Sequence, residues 1–473
     1  MPMPPDGTPT TPLAGGTDGP RQLRPLLDTV LEALADGAAA RGGPFPAGGP
    51  EAVTHRLRVA AEPLIPETGI GSHAALRTLV HALAEGAADP ADPRCAAHLH
   101  GPPLAVATAA DLAASALNPS MDSWDQAPAA SALEQLVCRG LATEVFPHGT
   151  APDALVTTGG TESNQIAILL ARELSRDQGP VQIVCGNNAH HSIRRGAWLL
   201  GLPEPVTLPT PAGLLSPAAL DSALAALRGP VLVTATAGTT DTGEIDPLPQ
   251  LADVCAAHSA RLHVDASYGG PLLFSHTLHN RLDGLARADS VTLDLHKMGW
   301  QPIAAGFLAV PDTHALAPLG HHADYLNADD DTEAGIPDLL GRSLRTTRRP
   351  DVVKVAVTLR ALGRTGLAAL VEHTCAAAQR LADLVEAHPD FQLYERPTLS
   401  SLLFRPEGAS DERVAEIRRG LLTDGRAVLG RAHATDHRDG TRRLWLKATV
   451  LNPHTRPADL EALLKIVEGS AAR

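Results

Sequence analysis

The residue with the clearest chemical potential in this chain is a lysine, because lysine is rare here. The sequence has 473 residues and 39 basic residues, of which four are lysines and 35 are arginines. An ammonium can lose its proton and act as a nucleophile, whereas a guanidinium stays charged. Lys297 follows the apolar run SVTLDL at 290–295, and an amine at a strand end is suited to Schiff-base chemistry with an aldehyde. Uneven replacement of lysine by arginine is the alternative explanation.

The segment VTTGGTESNQIAILLAR at 156–172 has the pattern of a strand, a glycine turn and a helix. The glycine pair ending at Gly160 allows a sharp turn, and Thr161, Ser163 and Asn164 bring hydroxyl and amide groups to the helix start. Free N–H groups at a helix N-terminus bind anions such as phosphate. A simple helix cap is the alternative. The segment has neither the nucleotide-triphosphate nor the dinucleotide glycine spacing.

A carboxylate, Asp265, stands at the end of another predicted strand, in HVDASYGG. Such a carboxylate can keep a pyridine nitrogen protonated, which makes the ring an electron sink. A helix cap or a turn is the alternative role. One strand–helix–strand step separates Asp265 from Lys297, so both can line the same crevice.

Two adjacent histidines, His190 and His191, follow a third predicted strand. An imidazole there can stack on a ring or transfer protons; a pair of surface or helix-capping histidines is the alternative. Neither belongs to an H-x-x-x-H or H-E-x-x-H spacing, and no metal site is predicted. A phosphate seat, a strand-end carboxylate, a ring-facing imidazole and a Schiff-base lysine together match the needs of pyridoxal 5′-phosphate.

Alternating strands and helices must position these residues, because short apolar runs separate longer helical patterns. Strands are predicted at 154–158, 181–185, 231–237, 261–266, 290–295 and 307–310, and helices at 162–176, 192–200 and 249–258. This alternation predicts an α/β protein with a mostly parallel sheet and helices on both faces. Ligands of such sheets bind beyond the carboxyl ends of the strands, where the chemical residues fall.

Charge and cysteine content narrow the classes of partner and compartment. The formal charge of −14 disfavours nucleic acid and anionic membranes as partners. The five cysteines are scattered without a C-x-x-C pair, so a reducing cytoplasm is the predicted location. No secretion signal and no membrane span are predicted from the apolar pattern.

Longer stretches of the chain carry a family resemblance. Residues 233–270, followed by ADSVTLDLHKMGW, resemble the group II pyridoxal-phosphate-dependent amino-acid decarboxylases. Residues 98–135 and 324–349 share the resemblance and look closest to the bacterial L-2,4-diaminobutyrate decarboxylase-like branch. The similarity spans residues 60 to 460.

The resemblance implies a fold-type-I transferase architecture with a mostly parallel seven-stranded sheet, and a homodimer with active sites at the interface. Together with the Pro- and Gly-rich start of the chain, it divides the sequence into four parts. These are a disordered tail (1–20), an N-terminal helical arm (21–95), a large cofactor domain (96–350) and a smaller C-terminal α/β domain (351–473).

The resemblance also gives roles to the residues that would meet the reactive ring. Lys297 would hold the cofactor's aldehyde as a Schiff base, Asp265 would pair with the pyridine nitrogen, and His190 would stack on the ring. Ser267 stands where the family often has alanine, which places a hydroxyl under the ring.

Four further residues would surround the rest of the cofactor according to the resemblance. Gly160 and Thr161 would seat the phosphate together with His296, beside the lysine. Thr239 would lie near the phenolic oxygen.

The loop that covers the site departs from the family pattern. Several relatives carry a tyrosine there that reprotonates the substrate carbanion, but residues 326–341 contain none, and Glu333 falls near that position. Tyr325, at the start of the loop, is the predicted catalytic replacement. The alternative is that Tyr325 only anchors the loop.

The predicted reaction is decarboxylation of an L-amino acid to a primary amine and carbon dioxide. The acidic cluster at 329–333 could attract a second ammonium and favour a diamino acid, although a solvated acidic run is the alternative. One rival outcome is oxidative decarboxylation and deamination to a carbonyl product. The other is a catalytically silent homologue that serves as a partner protein.

Overall fold

The chain begins with three helices that expose apolar side chains. The computed structural model describes residues 11–320, 326 and 328–472. The first helices are α1 (Gly19–Arg41), α2 (Gly49–Ala61) and α3 (Ser72–Glu85). Leucines and a valine on these helices remain exposed, namely Leu31, Leu57, Val59 and Leu83. This apolar surface is left uncovered by the described part of the chain.

The middle of the chain builds a seven-stranded sheet. In chain order its elements and their neighbours are β1 (Cys95–Ala96), α4 (Ala105–Leu117), α5 (Pro128–Val145), β2 (Asp153–Thr157), α6 (Gly160–Leu174), β3 (Gln182–Gly186), α7 (Ser192–Leu199), β4 (Val206–Leu208), α8 (Pro217–Ala226), β5 (Val231–Thr236), α9 (Leu248–Ala257), β6 (Arg261–Ala266), β7 (Ser290–Asp294) and β8 (Gly306–Val310). The strand order is β2-β8-β7-β6-β5-β3-β4. Only β8 runs antiparallel to its neighbours, β2 and β7, so the mostly parallel sheet is confirmed.

The C-terminal part builds a second sheet. Its elements are α10 (Asp329–Glu333), α11 (Val352–Ala387), β9 (Phe391–Leu393), β10 (Ser401–Pro406), α12 (Asp411–Thr423), β11 (Val428–Thr435), β12 (Arg442–Thr449) and α13 (Pro457–Ala471). The strand order is β1-β11-β12-β10-β9, so the early strand β1 joins this later sheet. No helix among the described residues is long and apolar enough to cross a membrane.

Helices cover both faces of the large sheet. Neighbouring strand residues point to opposite faces, so each strand brings apolar side chains to both. Val156 packs in a core with α5, α9 and α11, whereas Leu155 packs on the other face with α6. Both side chains are almost fully buried. The two covered faces leave the strand ends as the open edge at which a ligand can bind.

The predicted elements of the large sheet differ from the observed ones by at most two residues at any end. The short edge strand β4 has no counterpart in the pattern-based prediction, because its three residues stand between Pro205 and Pro209. The long helix α11 is interrupted at Gly363, where φ is +61° and ψ is −174°, so it consists of two helical pieces joined by a kink.

Candidate active site

A cavity of about 270 Å³ lies at the carboxyl ends of β5, β6 and β7, against the first turn of α6. Its wall includes seven of the residues predicted to bind the cofactor: Gly160, Thr161, His190, Asp265, Ser267, His296 and Lys297. The strands that carry them are parallel, so their carboxyl ends meet at one edge of the sheet. The sheet therefore gathers groups that are far apart in sequence.

Two predicted site residues are not placed on this wall. The buried Thr239 hydroxyl accepts a hydrogen bond from the Glu244 N–H at 3.0 Å and lies 3.0 Å from the Thr242 hydroxyl. Its neighbour Thr240 lines the cavity instead. Tyr325 lies outside the described residues.

The turn between β2 and α6 is shaped by glycines at points where a side chain would not fit. Gly159 has a φ of +150°, and a Cβ there would lie 3.0 Å from Cε1 of His296. A Cβ on Gly160 would overlap the hydroxyl of Ser267. The first N–H groups of a helix have no intrahelical acceptor, so this tight turn presents donors to an anion.

Lys297 follows β7, and a buried carboxylate holds its ammonium. The Nζ atom lies 3.0 Å from Oδ2 of Asp294, and the two side chains are 19% and 2% exposed. Oδ1 of Asp294 and Nδ1 of His296 are buried without a hydrogen-bond partner among the described residues. Burial lowers the pKa of His296 despite the nearby Asp294 carboxylate. Sequence reasoning missed Asp294, although its place three residues before Lys297 at a strand end was a usable signal.

The carboxylate of Asp265 is buried and held by several donors. Burial acts to raise the pKa of Asp265, but Lys297 and hydrogen bonds from Ser267 and Asn164 outweigh it and hold the pKa below its usual value. The Ser267 hydroxyl donates to Oδ1 at 2.6 Å, and its backbone N–H donates to the same atom at 3.1 Å. The hydroxyl at the usual alanine position is therefore a support for the carboxylate.

His190 lines the cavity beside these groups. Its Nδ1 lies 2.8 Å from the hydroxyl of Ser192, the first residue of α7. Burial is the main reason that the pKa of His190 is lowered, which favours a neutral ring. The adjacent His191 ring is 4.2 Å away between centroids. A neutral imidazole at the cavity wall is suited to cover a ring face.

Two of the polar residues predicted at the phosphate seat point elsewhere. The Ser163 hydroxyl pairs with the Thr157 hydroxyl at 2.7 Å. The amide of Asn164 contacts Asp265 at 2.7 Å and Ser192 at 2.9 Å. Both residues lie in the first turns of α6 but face the sheet, which a local motif cannot show. Of the three predicted polar residues, only Thr161 lines the cavity.

The residues present fit a phosphorylated pyridine aldehyde. An anionic carboxylate with a lowered pKa, a glycine-shaped helix N-terminus and a lysine all line the cavity. The unpartnered buried Nδ1 of His296 leaves further hydrogen-bonding capacity near the helix start. With the mostly parallel sheet, this site defines the class of fold-type-I pyridoxal-phosphate-dependent enzymes.

Comparison with known proteins narrows the class to a family. A family profile described as "Pyridoxal-dependent decarboxylase conserved domain" matches residues 73–407. The chain is 40% identical over 423 residues to L-2,4-diaminobutyrate decarboxylase of Rhizobium meliloti (strain 1021), covering 86% of this chain and 84% of the relative. It is 31% identical over 436 residues to the enzyme of the same name from Acinetobacter baumannii, covering 86% and 85%.

A solved structure is similar over nearly the whole chain. It is the glutamate decarboxylase domain of diaminobutyrate-pyruvate transaminase and L-2,4-diaminobutyrate decarboxylase from Vibrio parahaemolyticus. The TM-score is 0.84 at 30% identity, and the similarity covers 98% of each chain. This chain belongs to the pyridoxal-dependent decarboxylase family. It is an amino-acid decarboxylase that uses pyridoxal 5′-phosphate, which confirms the resemblance, the fold and the cofactor predicted from sequence.

Proposed function

We propose that the substrate is a diamino acid, L-2,4-diaminobutyrate, which loses its α-carboxylate as carbon dioxide and gains a proton at Cα to give 1,3-diaminopropane. The observation that carries this proposal is the 40% identity to a diaminobutyrate decarboxylase over most of both chains. The second relative of that name supports the same substrate. Bound pyridoxal phosphate supplies an electron sink for the pair of electrons left by carbon dioxide.

Three residues would act on the reactive part of the cofactor. The amine of Lys297 would bond to the aldehyde carbon of the cofactor and would be replaced there by the substrate amine. Asp265 would keep the ring nitrogen protonated, because its lowered pKa keeps the carboxylate ionised. His190 would cover one ring face and exclude water. Ser267 would hold Asp265 in position through its 2.6 Å hydrogen bond.

Four other residues would bind the remaining parts of the cofactor. Gly160 and Thr161 would direct helix N–H groups to the phosphate, and His296 lies close enough to the glycine turn to assist. Thr239 stays a prediction for the phenolic side, and in the structure its hydroxyl accepts from the Glu244 N–H while its own N–H donates to the Glu244 carbonyl.

We also propose Tyr325 as the group that returns a proton to Cα. The other two tyrosines of the chain have other contacts, although Tyr268 also lines the cavity. The hydroxyl of Tyr268 is buried within 3.0 Å of the Ser400 and Ser401 hydroxyls. The ring of Tyr394 packs at 5.3 Å against Trp445.

The acidic cluster at α10 would act on the substrate from a distance. Asp330, Asp331 and Glu333 are exposed, so their field would draw a substrate of net positive charge toward the site without a close contact. Attraction of this kind weakens as salt is added. A fall in kcat/KM for diaminobutyrate with rising ionic strength would support this role, and a flat response would contradict it.

A substrate panel tests the proposed function. Carbon dioxide release is measured for diaminobutyrate, ornithine, lysine, glutamate, cysteine sulfinate and tryptophan. We expect diaminobutyrate to have the highest kcat/KM by about tenfold or more, since even one extra methylene, as in ornithine, costs about 1–3 kcal/mol in a pocket of fixed size. Preference for glutamate or for an aromatic substrate would overturn the diamino-acid assignment.

The same panel includes a peroxide assay, because residues 326–341 lack tyrosine. That absence favours a longer-lived carbanion and is the reason to keep oxidative decarboxylation as a second candidate. Simple decarboxylation predicts amine equal to carbon dioxide and no peroxide. Peroxide and ammonia formed in proportion to carbon dioxide would establish the oxidative reaction instead.

We propose a homodimer and a cytoplasmic location. The exposed apolar side chains of α1–α3, such as Leu31 and Val59, are a surface that a second copy would cover. All five cysteines are free thiols, which fits a reducing compartment. Light scattering that gives twice the mass of the chain would support the dimer, and a monomer at micromolar concentration would contradict it.

A further inference from the structure

A single buried amide lies behind the cavity and joins two of its walls. Asn164 on α6 is fully buried. Its Nδ2 atom is 2.7 Å from Oδ2 of Asp265 and 2.9 Å from the hydroxyl of Ser192. Its Oδ1 atom is 2.9 Å from Nε2 of His263 and 2.9 Å from the hydroxyl of Thr292. All the hydrogen-bonding capacity expected of the amide is therefore used.

The chemistry of the neighbours determines the direction of this amide. An ionised Asp265 can only accept hydrogen bonds, so the atom that faces it must be the nitrogen of Asn164. The amide oxygen then faces His263, whose Nε2 must carry a hydrogen. Burial lowers the pKa of His263 to about 4, so the ring is neutral at neutral pH. Its Nδ1 consequently accepts from the hydroxyl of Ser290, 2.8 Å away.

The second N–H of Asn164 is donated to the residue that contacts the cavity histidine. The Ser192 hydroxyl oxygen accepts that N–H and lies 2.8 Å from Nδ1 of His190. The backbone N–H of Ser192 donates to the same nitrogen at 3.4 Å, so Nδ1 is an acceptor. A neutral His190 then carries its hydrogen on Nε2.

We infer that Asn164 is a positioning residue that aligns the Asp265 carboxylate with the cofactor ring nitrogen, and that neutral His263 holds the amide in this direction. The role concerns the cofactor ring and is independent of which amino acid is the substrate. It rests on the cofactor that the family uses.

Strand register explains why this contact set can form. Asp265 is paired with Thr292, and His263 is paired with Ser290, on the neighbouring parallel strands β6 and β7. Side chains two residues apart on a strand share a face, so these four groups face α6 together. One residue of α6, Asn164, can then contact three of them. A flip of the amide, which exchanges its oxygen and nitrogen, would put the oxygen against Asp265. The N–H of His263 and the hydroxyl of Thr292 would then lose their acceptor.

The test measures equilibrium binding to apoprotein and needs no substrate. Pyridoxal phosphate is compared with its 1-deaza analogue, in which a C–H group replaces the ring nitrogen. The Asp265 carboxylate can pair only with the nitrogen. The dissociation constant of the analogue divided by that of pyridoxal phosphate therefore reports the alignment of the carboxylate. We expect Asn164→Leu to reduce this ratio about tenfold, because a hydrogen bond to a charged group contributes about 1.5–3 kcal/mol.

A pair of His263 variants keeps the inference testable if Asn164→Leu folds poorly. His263→Gln can still donate an N–H to the Asn164 oxygen, and His263→Leu cannot. We expect the glutamine variant to keep the wild-type ratio and the leucine variant to lose about threefold or more. The matched control is Thr234→Val. Thr234 is paired with His263 on β5, and its hydroxyl is buried without a partner among the described residues.

The outcomes separate positioning from a merely structural role. If Asn164→Leu or His263→Leu weakens both ligands by the same factor, the ratio is unchanged and the inference is overturned. The inference also fails if His263→Gln lowers the ratio as much as His263→Leu does. An unchanged ratio in Thr234→Val with a lowered ratio in the two leucine variants supports it. A wrong substrate assignment would leave all of these values unaffected.

Discussion

We propose a ring-nitrogen end of the cavity at Asp265 and a phosphate end at the turn into α6. These two ends are built from different materials. The ring-nitrogen end is made of side chains, since Asp265 is held by Ser267 and by the amide of Asn164. The phosphate end is made of backbone, at the turn through Gly159 and Gly160 into α6. The first end depends on charge and on the direction of hydrogen bonds. The second depends on the absence of side chains, so the two ends should fail in different ways.

The largest effect should come from Lys297, the residue proposed to bind the cofactor covalently. In Lys297→Ala the amine is lost, and we expect kcat/KM to fall at least about a thousandfold, as for loss of a covalent catalytic group. Both ends remain, so the cofactor should still bind without a covalent bond. Borohydride treatment followed by mass spectrometry measures the attachment.

The control for that variant is Lys465→Ala, at an exposed position on α13. It should retain the borohydride adduct and the wild-type rate. An adduct that persists in Lys297→Ala, on any other lysine, would contradict the assignment of the reactive amine.

The next effect separates charge from shape at the ring-nitrogen end. Asp265→Asn keeps the size of the side chain but removes its charge, and we expect kcat to fall about 10²- to 10³-fold. Because the phosphate end is intact, the preference for pyridoxal phosphate over pyridoxal should persist. The preference over the 1-deaza analogue should disappear. Asp253→Asn, at a largely exposed position of α9, is the control and should change neither preference. Full activity in Asp265→Asn would show that the ring nitrogen has another partner.

A smaller effect should come from added bulk at the phosphate end. In Gly160→Ala the new Cβ would overlap the Ser267 hydroxyl, and cofactor affinity should fall about 10- to 100-fold, since overpacking costs about 1–3 kcal/mol. The preference for pyridoxal phosphate over pyridoxal should fall with it. The preference over the 1-deaza analogue should fall as well, because the overlapped hydroxyl supports Asp265. Fluorescence titration of apoprotein measures these values.

Two further variants test whether overlap with the Ser267 hydroxyl causes the effect of Gly160→Ala. Adding Ser267→Ala removes the overlapped atom and should restore part of the affinity. Gly420→Ala on α12 meets no atom within 4 Å and should behave as wild type. If the double variant binds no better than Gly160→Ala, the overlap is not the cause of the loss.

The smallest effect concerns a residue behind the ring-nitrogen end. The pKa of His263 is about 4 in the folded chain and 6.5 in the absence of burial. Between these pH values the unfolded chain binds more protons at this residue, so its contribution to stability is lost as pH falls. His263→Gln cannot take up this proton, and its stability should depend less on pH in that window, by roughly 1–3 kcal/mol. Urea unfolding above pH 6.5 and near pH 4 measures the difference. Equal pH dependence in both proteins would show that His263 is accessible to protons in the native state.

Local patterns in the chain predict much of this arrangement. The strands and helices of the large sheet follow from periodicity, and Lys297, Asp265 and His190 stand out because each follows an apolar run. The edge strand β4 escapes such reasoning because three residues between prolines carry too little pattern. The four-part domain division and the roles of the site residues, including Thr239 and Tyr325, stay predictions.

The sequence alone determined the kind of fold, the family and the cofactor, because each of these follows from local motifs that are recognisable one at a time along the chain. Only the tertiary structure decided how the carboxylate is supported. Asn164 meets Asp265 across 101 residues and Thr292 across 128, and strand register brings these side chains to one point. Asn164 looks like part of a helix cap in a linear reading. Its true contacts depend on which face of α6 packs against the sheet, which only the packed core determines.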